Sequence, residues 1–204
     1  MFVSDPELIG SALTSGRDRD VLRAGEPNAD ALAPIVGVRS VLTSAGARHL
    51  RQRKLLLPRR SRGTWDAVIK ETHRLRPTVP NVVRRVREPF DLGAWRLPVG
   101  SVISPAVYLV HRRADLYAEP HAFRPERFLD EQTPSYAWLP FGGGVRRCIR
   151  ASSATLEMQE VLRAVFSRLE LRPARPGRPE RPKRRTVTSV PATGTVVVAA
   201  PRLP

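Results

Sequence analysis

The sequence predicts an α+β domain that is mainly helical and carries small β-sheets. Two stretches show helical periodicity of their apolar residues, one beginning after Thr64 and one from 151 to 169. Short runs that contain β-branched or aromatic residues predict strands between them, at 82–87, 90–97 and 102–104. Twenty prolines among 204 residues indicate that several connections are long and irregular.

Two further helices are expected nearer the N-terminus. Ser4 is the predicted N-cap of a short helix whose apolar side contains Leu8, Ile9 and Leu13. Another helix is predicted from 44 to 57, since apolar residues share one of its faces and a proline follows it.

The two periodic helices have predicted limits and faces. Thr64 is the expected N-cap of the first, and Pro77 ends it. Its predicted apolar face contains Trp65, Val68, Ile69 and Thr72. The second helix is expected to present Ala151, Ala154, Met158, Val161, Leu162, Val165 and Leu169 on one side.

Two features are predicted for the C-terminal part of the chain. Residues 187–190 and 195–199 are expected to form a closing hairpin. Before them, proline and arginine recur every three residues within a basic loop at 172–185. Because polyproline II has three residues per turn, this period predicts a stiff stripe with its arginines along one edge.

Composition limits the classes of function. Lys and Arg outnumber Asp and Glu by 35 to 19, and the resulting net charge of +16 favours acidic partners. A single cysteine excludes an intramolecular disulfide and a zinc cluster of thiolates. No segment approaches the ~18 consecutive apolar residues of a membrane span, and the first residues lack the features of a signal peptide. A cytoplasmic protein with no membrane span is therefore expected.

The segment from Phe141 to Cys148 reads Phe-Gly-Gly-Gly-Val-Arg-Arg-Cys. A thiolate that binds haem iron needs a glycine-rich loop to approach the ring, amides to donate to the sulfur, and a cation for a propionate. The segment resembles the haem loop of the cytochrome P450 family, which it matches at Phe141, Gly144, Arg146 and Cys148. The resemblance implies that Cys148 is the axial ligand of a haem iron. Taken alone, the same cysteine would be read as a small apolar core residue.

Glu71 and Arg74 lie three residues apart on the helix that follows Thr64 and can form an ion pair. An ordinary ion pair on the helix surface is one interpretation. The segment Pro-Glu-Arg127-Phe is similar to another P450 segment. The resemblance therefore implies a buried structural triad of Glu71, Arg74 and Arg127.

The resemblance also implies cations for the two haem propionates. His49 and Arg53 lie in a segment similar to the family's propionate-binding helix, and Arg84 resembles an arginine of the strand that follows the Glu-x-x-Arg helix. With Arg146 of the loop, these are the expected propionate donors. A solvated surface cation is the alternative for His49, Arg53 and Arg84.

The similarity covers nearly the whole chain, but the chain has only half the length of a usual family member. Residues 1–58 resemble the family's early helices and residues 64–204 its last third, so 1–204 is interpreted as a single, incomplete haem-binding domain with a junction near 59–63. The long helix that carries an acid and a threonine for proton delivery to bound oxygen has no counterpart. Arg150 stands where family members have glycine, and its guanidinium is expected to be forced toward the porphyrin edge.

By resemblance, the predicted function is that of a haem-thiolate monooxygenase. Such an enzyme inserts one atom of O2 into a small apolar substrate, with electrons from an acidic ferredoxin or reductase. The alternative is a non-catalytic truncated remnant that binds haem weakly or not at all. A remote alternative is a basic nucleic-acid-binding protein, but no aromatic residue interleaves the basic loop and no DNA- or RNA-binding signature is present, so no nucleic-acid partner is expected.

Overall fold

The described part of the chain contains helices of 4 to 16 residues and strands of 2 to 5 residues. The computed structural model describes residues 1–14, 22–23, 63–130, 133–176 and 180–202. Within these ranges the helices are α1 (Pro6–Thr14), α2 (Thr64–Leu75), α3 (Val107–Val110), α4 (Arg127–Asp130) and α5 (Ala151–Phe166), and a 3-10 turn occupies Gly144–Arg146. The predicted combination of helices with small sheets is confirmed.

The strands are β1 (Phe2–Val3), β2 (Leu22–Arg23), β3 (Arg84–Val86), β4 (Phe90–Leu92), β5 (Trp95–Leu97), β6 (Val102–Pro105), β7 (Leu169–Pro173), β8 (Pro182–Arg185), β9 (Thr188–Pro191) and β10 (Val197–Pro201). A four-stranded sheet has the order β1-β6-β3-β2, and two-stranded sheets pair β10 with β7, β4 with β5, and β8 with β9. β1 runs parallel to β6, and the other pairs are antiparallel.

The main core lies between α1 and the four-stranded sheet. It consists of Val3, Ile9, Ala12, Leu13, Val86, Leu92, Ile103, Val107, Val110 and Leu139. The predicted apolar side of α1 is confirmed, because Ile9 and Leu13 are buried and Leu8 packs against the same core. The predicted N-cap is wrong by one residue. The Asp5 carboxylate, rather than Ser4, accepts hydrogen bonds from the first free N–H groups of α1.

Helix α2 begins and ends close to its predicted limits but buries a different face. Gly63 occupies the N-cap position, and the helix ends at Leu75, before Pro77. Its buried residues are Ala67, Ile69, Glu71 and Arg74. The periodicity of apolar residues misses this face because two of its buried members are charged and satisfy each other.

The predicted strand at 90–97 is a hairpin instead. β4 and β5 pair around Gly93, whose φ of 59° lies in the left-handed region that favours glycine. The other two predicted strands of this region are present, in shorter form as β3 and slightly longer as β6.

The C-terminal strands pair differently from the prediction. β9 pairs with β8, and β10 returns to pair with β7 next to α5. The predicted polyproline II conformation is wrong at both ends of the basic loop. Pro173 is the last residue of β7 and Pro182 the first of β8, and side chains in a strand alternate with a period of two rather than three. Helix α5 accordingly ends at Phe166 rather than at 169, since Leu169 is already the first residue of β7.

Several predictions concern residues outside the described ranges. These include the helix at 44–57, the junction near 59–63 except for its last residue, and the side chains of His49 and Arg53. In the part of the chain that the structure describes, no helix is long and apolar enough to cross a membrane.

Candidate functional site

Backbone hydrogen bonds fold residues 141–148 into a closed loop. The N–H of Cys148 donates to the carbonyl of Phe141 at 2.8 Å, which joins the two ends of the segment. Gly142 and Gly144 reverse the chain inside the loop, with φ angles of 67° and 63°. Cys148 ends the loop as a free and exposed thiol, just before α5. The loop therefore presents a sulfur atom outward from a compact backbone support.

The glycines of this loop also allow α1 to pack closely on it. A Cβ atom on Gly144 would lie 1.9 Å from the carbonyl oxygen of Leu13. A Cβ atom on Gly143 would lie 2.8 Å from Cδ1 of the same leucine. The sequence suggested glycines for the approach of a ring. The structure gives Gly143 and Gly144 an additional role as the contact surface for the last turn of α1.

The guanidinium groups of Arg84 and Arg146 lie close enough to repel each other. Arg84 is only 5% exposed, and its Nη1 donates to the carbonyl of Val83 at 2.9 Å. Burial and the positive charge of Arg146 lower the pKa of Arg84 to about 10. None of the acidic side chains that the structure describes lies within ion-pair distance of Arg84. This arrangement favours binding of an external anion.

A fully buried ion pair joins Glu71 to Arg74. Arg74 Nε lies 2.7 Å from Glu71 Oε2 and Arg74 Nη2 lies 2.8 Å from Oε1, so the pair is bidentate. The backbone N–H of Arg124 also donates to Oε1 at 2.8 Å, and Arg127 Nε approaches the same oxygen to 3.4 Å. Burial alone would raise the pKa of Glu71, but the hydrogen bonds from Arg74 and from the Arg124 N–H outweigh it and lower that pKa. The carboxylate is therefore kept ionised in the interior.

Arg74 also fixes the chain that follows β6. Its guanidinium donates to the carbonyls of His111, Pro120 and Ala122 at 2.6, 2.7 and 3.1 Å. It also lies 4.9 Å from the ring centre of buried Tyr117. One buried cation thus holds three backbone acceptors from a loop that has little regular structure of its own.

His111 is a buried neutral residue that connects this network to the segment leading into the cysteine loop. Its Nδ1 lies 3.2 Å from the Arg74 carbonyl, and its Nε2 accepts a hydrogen bond from the N–H of Leu139 at 2.8 Å. These partners fix the tautomer with the proton on Nδ1. Burial, followed by repulsion from Arg74, Arg112 and His73, lowers the pKa of His111 to about 3. Sequence reasoning missed this residue, although its position directly after the apolar run Val107–Val110 was a signal for burial.

We expect His111 to make the fold sensitive to acid. Below about pH 6.5 this histidine takes up a proton in the unfolded chain but not in the folded chain. The stability that neutral His111 gives to the fold is therefore complete above pH 6.5 and is lost as the pH falls toward 3. Lowering the pH from about 7 to about 5 should therefore reduce the free energy of unfolding by about 2 kcal/mol through this residue. Urea unfolding at both pH values measures the change. His111→Gln should flatten the pH dependence, and an unchanged slope in that variant would contradict the assignment.

Phe141, at the start of the cysteine loop, lies in an aromatic cluster. Its ring centre is 5.4 Å from that of His73 and 6.1 Å from that of Trp138. His73 also places Nε2 at 3.4 Å from the sulfur of Met158 on α5. Helices α2 and α5 therefore both contact the base of the loop, directly or through one side chain.

The structure brings together most of the residues expected from the sequence. Glu71, Arg74 and Arg127 lie in one network, and Arg84 and Arg146 lie close enough to repel each other. Arg150 differs from the expectation. Its side chain is 71% exposed and extends along α5 to within 3.8 Å of Glu157, as a surface cation.

The sequence of this chain is similar to mycobacterial P450 proteins. It is 46% identical over 106 residues to cytochrome P450 135B1 of Mycobacterium tuberculosis. This alignment covers 52% of this chain and 22% of that protein. The chain is 41% identical over 131 residues to cytochrome P450 137 of the same species, covering 64% and 27%. The chain thus spans about a quarter of the length of these curated relatives.

The fold is similar to solved P450 structures. The structure of a retinoic acid-bound cyanobacterial CYP120A1 matches with a TM-score of 0.62 and 24% identity, over 96% of this chain and 43% of that one. The haem domain of cytochrome P450DA matches with a TM-score of 0.61 and 21% identity, over 78% and 37%. The family model described as "Cytochrome P450" matches residues 64–198, a range that contains the buried ion pair, the cysteine loop and strands β8 and β9. On this match, the chain belongs to the cytochrome P450 family.

Proposed function

We propose that this chain forms the thiolate side of a haem-dependent monooxygenase, with Cys148 as the iron ligand. The observation that carries the proposal is the exposed thiol of Cys148 at the end of a closed, glycine-rich loop. Among the described residues, no group of three or more His, Cys, Asp or Glu could hold a bare metal ion. A lone thiolate therefore suits iron that is already held by a macrocycle.

The residues present fit the haem group on grounds of charge. Arg84 is buried and has no acidic partner among the residues that the structure describes, and a haem propionate would supply the missing negative charge. Arg146 belongs to the same loop as Cys148, so one short segment offers both a sulfur ligand and a cation. His49 and Arg53, which lie outside the described residues, are proposed as the remaining propionate donors.

The bound haem would activate O2 for transfer of one oxygen atom to a small apolar substrate, using electrons from a ferredoxin or reductase. The protein's part is to supply an anionic sulfur at Cys148 and to hold the loop that carries it. The carbonyl of Phe141 accepts a hydrogen bond from the Cys148 N–H and so closes that loop. Gly144 allows the loop to pack against α1. Glu71, Arg74 and Arg127 are positioning residues that hold the segments around the loop.

A second candidate is a non-catalytic remnant that binds haem without turnover. It is favoured by the missing counterpart of the helix with an acid and a threonine, beside a cysteine loop that is present. Peroxide consumption without hydroxylated product would support this candidate. Hydroxylation coupled to electron supply from a ferredoxin would exclude it.

The absorption spectrum of the reduced, CO-bound protein tests the ligand assignment. After addition of haem, the wild-type chain should show the long-wavelength Soret band of a thiolate ligand, and Cys148→Ala should lose it. Arg84→Leu is the control, because it should weaken haem affinity by about tenfold or more through loss of a charged hydrogen bond and leave the band position unchanged. A wild-type spectrum without the shift, or a shift that persists in Cys148→Ala, would refute the proposal.

A further inference from the structure

Strand β10 has one backbone edge to which no described strand pairs. The sheet that contains it consists of β10 and β7 alone. Hydrogen bonds from Ala174 N to the Val196 carbonyl and from Arg202 N to the Arg168 carbonyl show which residues face β7. Since backbone groups alternate along a strand, the N–H and C=O groups of Val197 and Ala199 point to the opposite edge.

The side chains of this strand are exposed and apolar. Val196, Val197 and Val198 are 59%, 45% and 58% exposed, and residues 193–201 contain no charge. Such a segment is prone to pair with another strand, and a two-stranded sheet gains stability when strands are added.

The hairpin of β8 and β9 is less prone to pair with a further strand. β8 carries Lys183, Arg184 and Arg185, whose charges repel an incoming strand of the same protein. The outer edge of β9 is covered, because the N–H of Ser189 donates to the carbonyl of Thr78 at 2.7 Å. The protection of these two strands contrasts with its absence at β10.

We propose that β10 pairs with β10 of a second copy of this chain, in antiparallel orientation, to form a closed dimer with a continuous sheet β7-β10-β10-β7. A chain of net charge +16 repels its own copy over most of its surface, and the uncharged strand offers a place of close approach. Antiparallel pairing places the two copies of Arg202 at opposite ends of the interface, whereas parallel pairing would bring them together. The two-fold axis uses the β10 edge of both copies, so neither copy has a free β10 edge left for a third chain.

The register follows from the ends of the strand. Thr195 has a φ of 52° and leaves the extended conformation, and Pro201 has no N–H. If Val198 of one copy lies opposite Val198 of the other, both N–H groups and both C=O groups of Val197 and Ala199 find partners. A shift of one residue in either direction leaves at least one of these groups unpaired.

Analytical ultracentrifugation of the full chain tests the dimer. Wild-type protein should show a concentration-dependent monomer–dimer equilibrium. Val198→Lys should raise its dissociation constant by about tenfold or more, because two like charges would lie directly opposite each other. Ala199→Pro, which removes an outward N–H and no bond to β7, should act in the same direction. Ala164→Lys adds the same charge on the exposed surface of α5 and should leave the dissociation constant unchanged.

A disulfide tests the register. In a Cys148→Ser background, Val198→Cys should form an intermolecular disulfide on mild oxidation, because residues at this non-hydrogen-bonded position would lie directly opposite each other. A wild-type chain that stays monomeric would overturn the proposal, and so would a dimer that is insensitive to both β10 variants. Open-ended assembly into larger species would also overturn it.

Discussion

Replacing Arg74 with alanine is expected to lower the free energy of unfolding by about 3–5 kcal/mol. The substitution leaves the fully buried Glu71 carboxylate without its bidentate partner and removes the donor to the carbonyls of His111 and Pro120. Small domains have a total stability of only about 5–15 kcal/mol, so this loss should be visible as partial unfolding or as a much lower urea midpoint.

Glu160 and Arg163 on α5 provide a matched control. They have the same residue types and the same spacing of three, with Nη1 and Oε1 2.8 Å apart, but their side chains are 56% and 63% exposed. Arg163→Ala should therefore cost no more than about 0.5 kcal/mol. Similar urea midpoints for Arg74→Ala and Arg163→Ala would show that burial does not give the first pair its importance.

The comparison of these two pairs also shows what the sequence can predict. Both pairs have helical spacing, and the spacing alone does not distinguish a buried pair from an exposed one. The resemblance of the segment around Arg127 to the P450 family identified Glu71 and Arg74 as the buried pair. It could not identify the backbone carbonyls that Arg74 binds, because they lie 37–48 residues further along an irregular loop.

Strand pairing was predicted less well than helix position. A helix is held by hydrogen bonds within four residues, so the pattern after Thr64 placed α2 correctly. Pairing of β10 with β7 depends on the direction in which α5 delivers the chain, which the local pattern does not contain. The local signal favoured the nearest β-like neighbours, at 187–190 and 195–199, and the prediction was therefore wrong.

In the cysteine loop, the role that the sequence suggested for one glycine was incomplete. Gly144 was expected to allow the approach of a ring. In the structure it lies directly against the backbone of Leu13, the next-to-last residue of α1. Contacts between segments so distant in sequence follow from the fold and have no counterpart in a short motif.

Substituting alanine for Gly144 is therefore expected to destabilise the chain by about 2–5 kcal/mol, even in the absence of haem. Two effects add: a Cβ atom in the left-handed region at φ 63°, and a clash at 1.9 Å with a backbone oxygen that can yield only if α1 moves. Because α1 supplies Ile9 and Leu13 to the core, its movement would open the packing against the sheet. Urea unfolding of the haem-free protein measures this cost without any contribution from the cofactor.

Gly142→Ala separates the two effects. Gly142 has nearly the same φ of 67°, but the nearest atom to its Cβ would be Val82 Cγ1 at an ordinary distance of 3.9 Å. The Gly142→Ala variant should have a free energy of unfolding lower by only ~1–2 kcal/mol, which is the cost of a side chain in the left-handed region. Equal destabilisation by the two alanines would mean that α1 does not pack on the loop in solution. A larger loss at Gly144 would support the view that the loop is held in place by α1 before any haem binds.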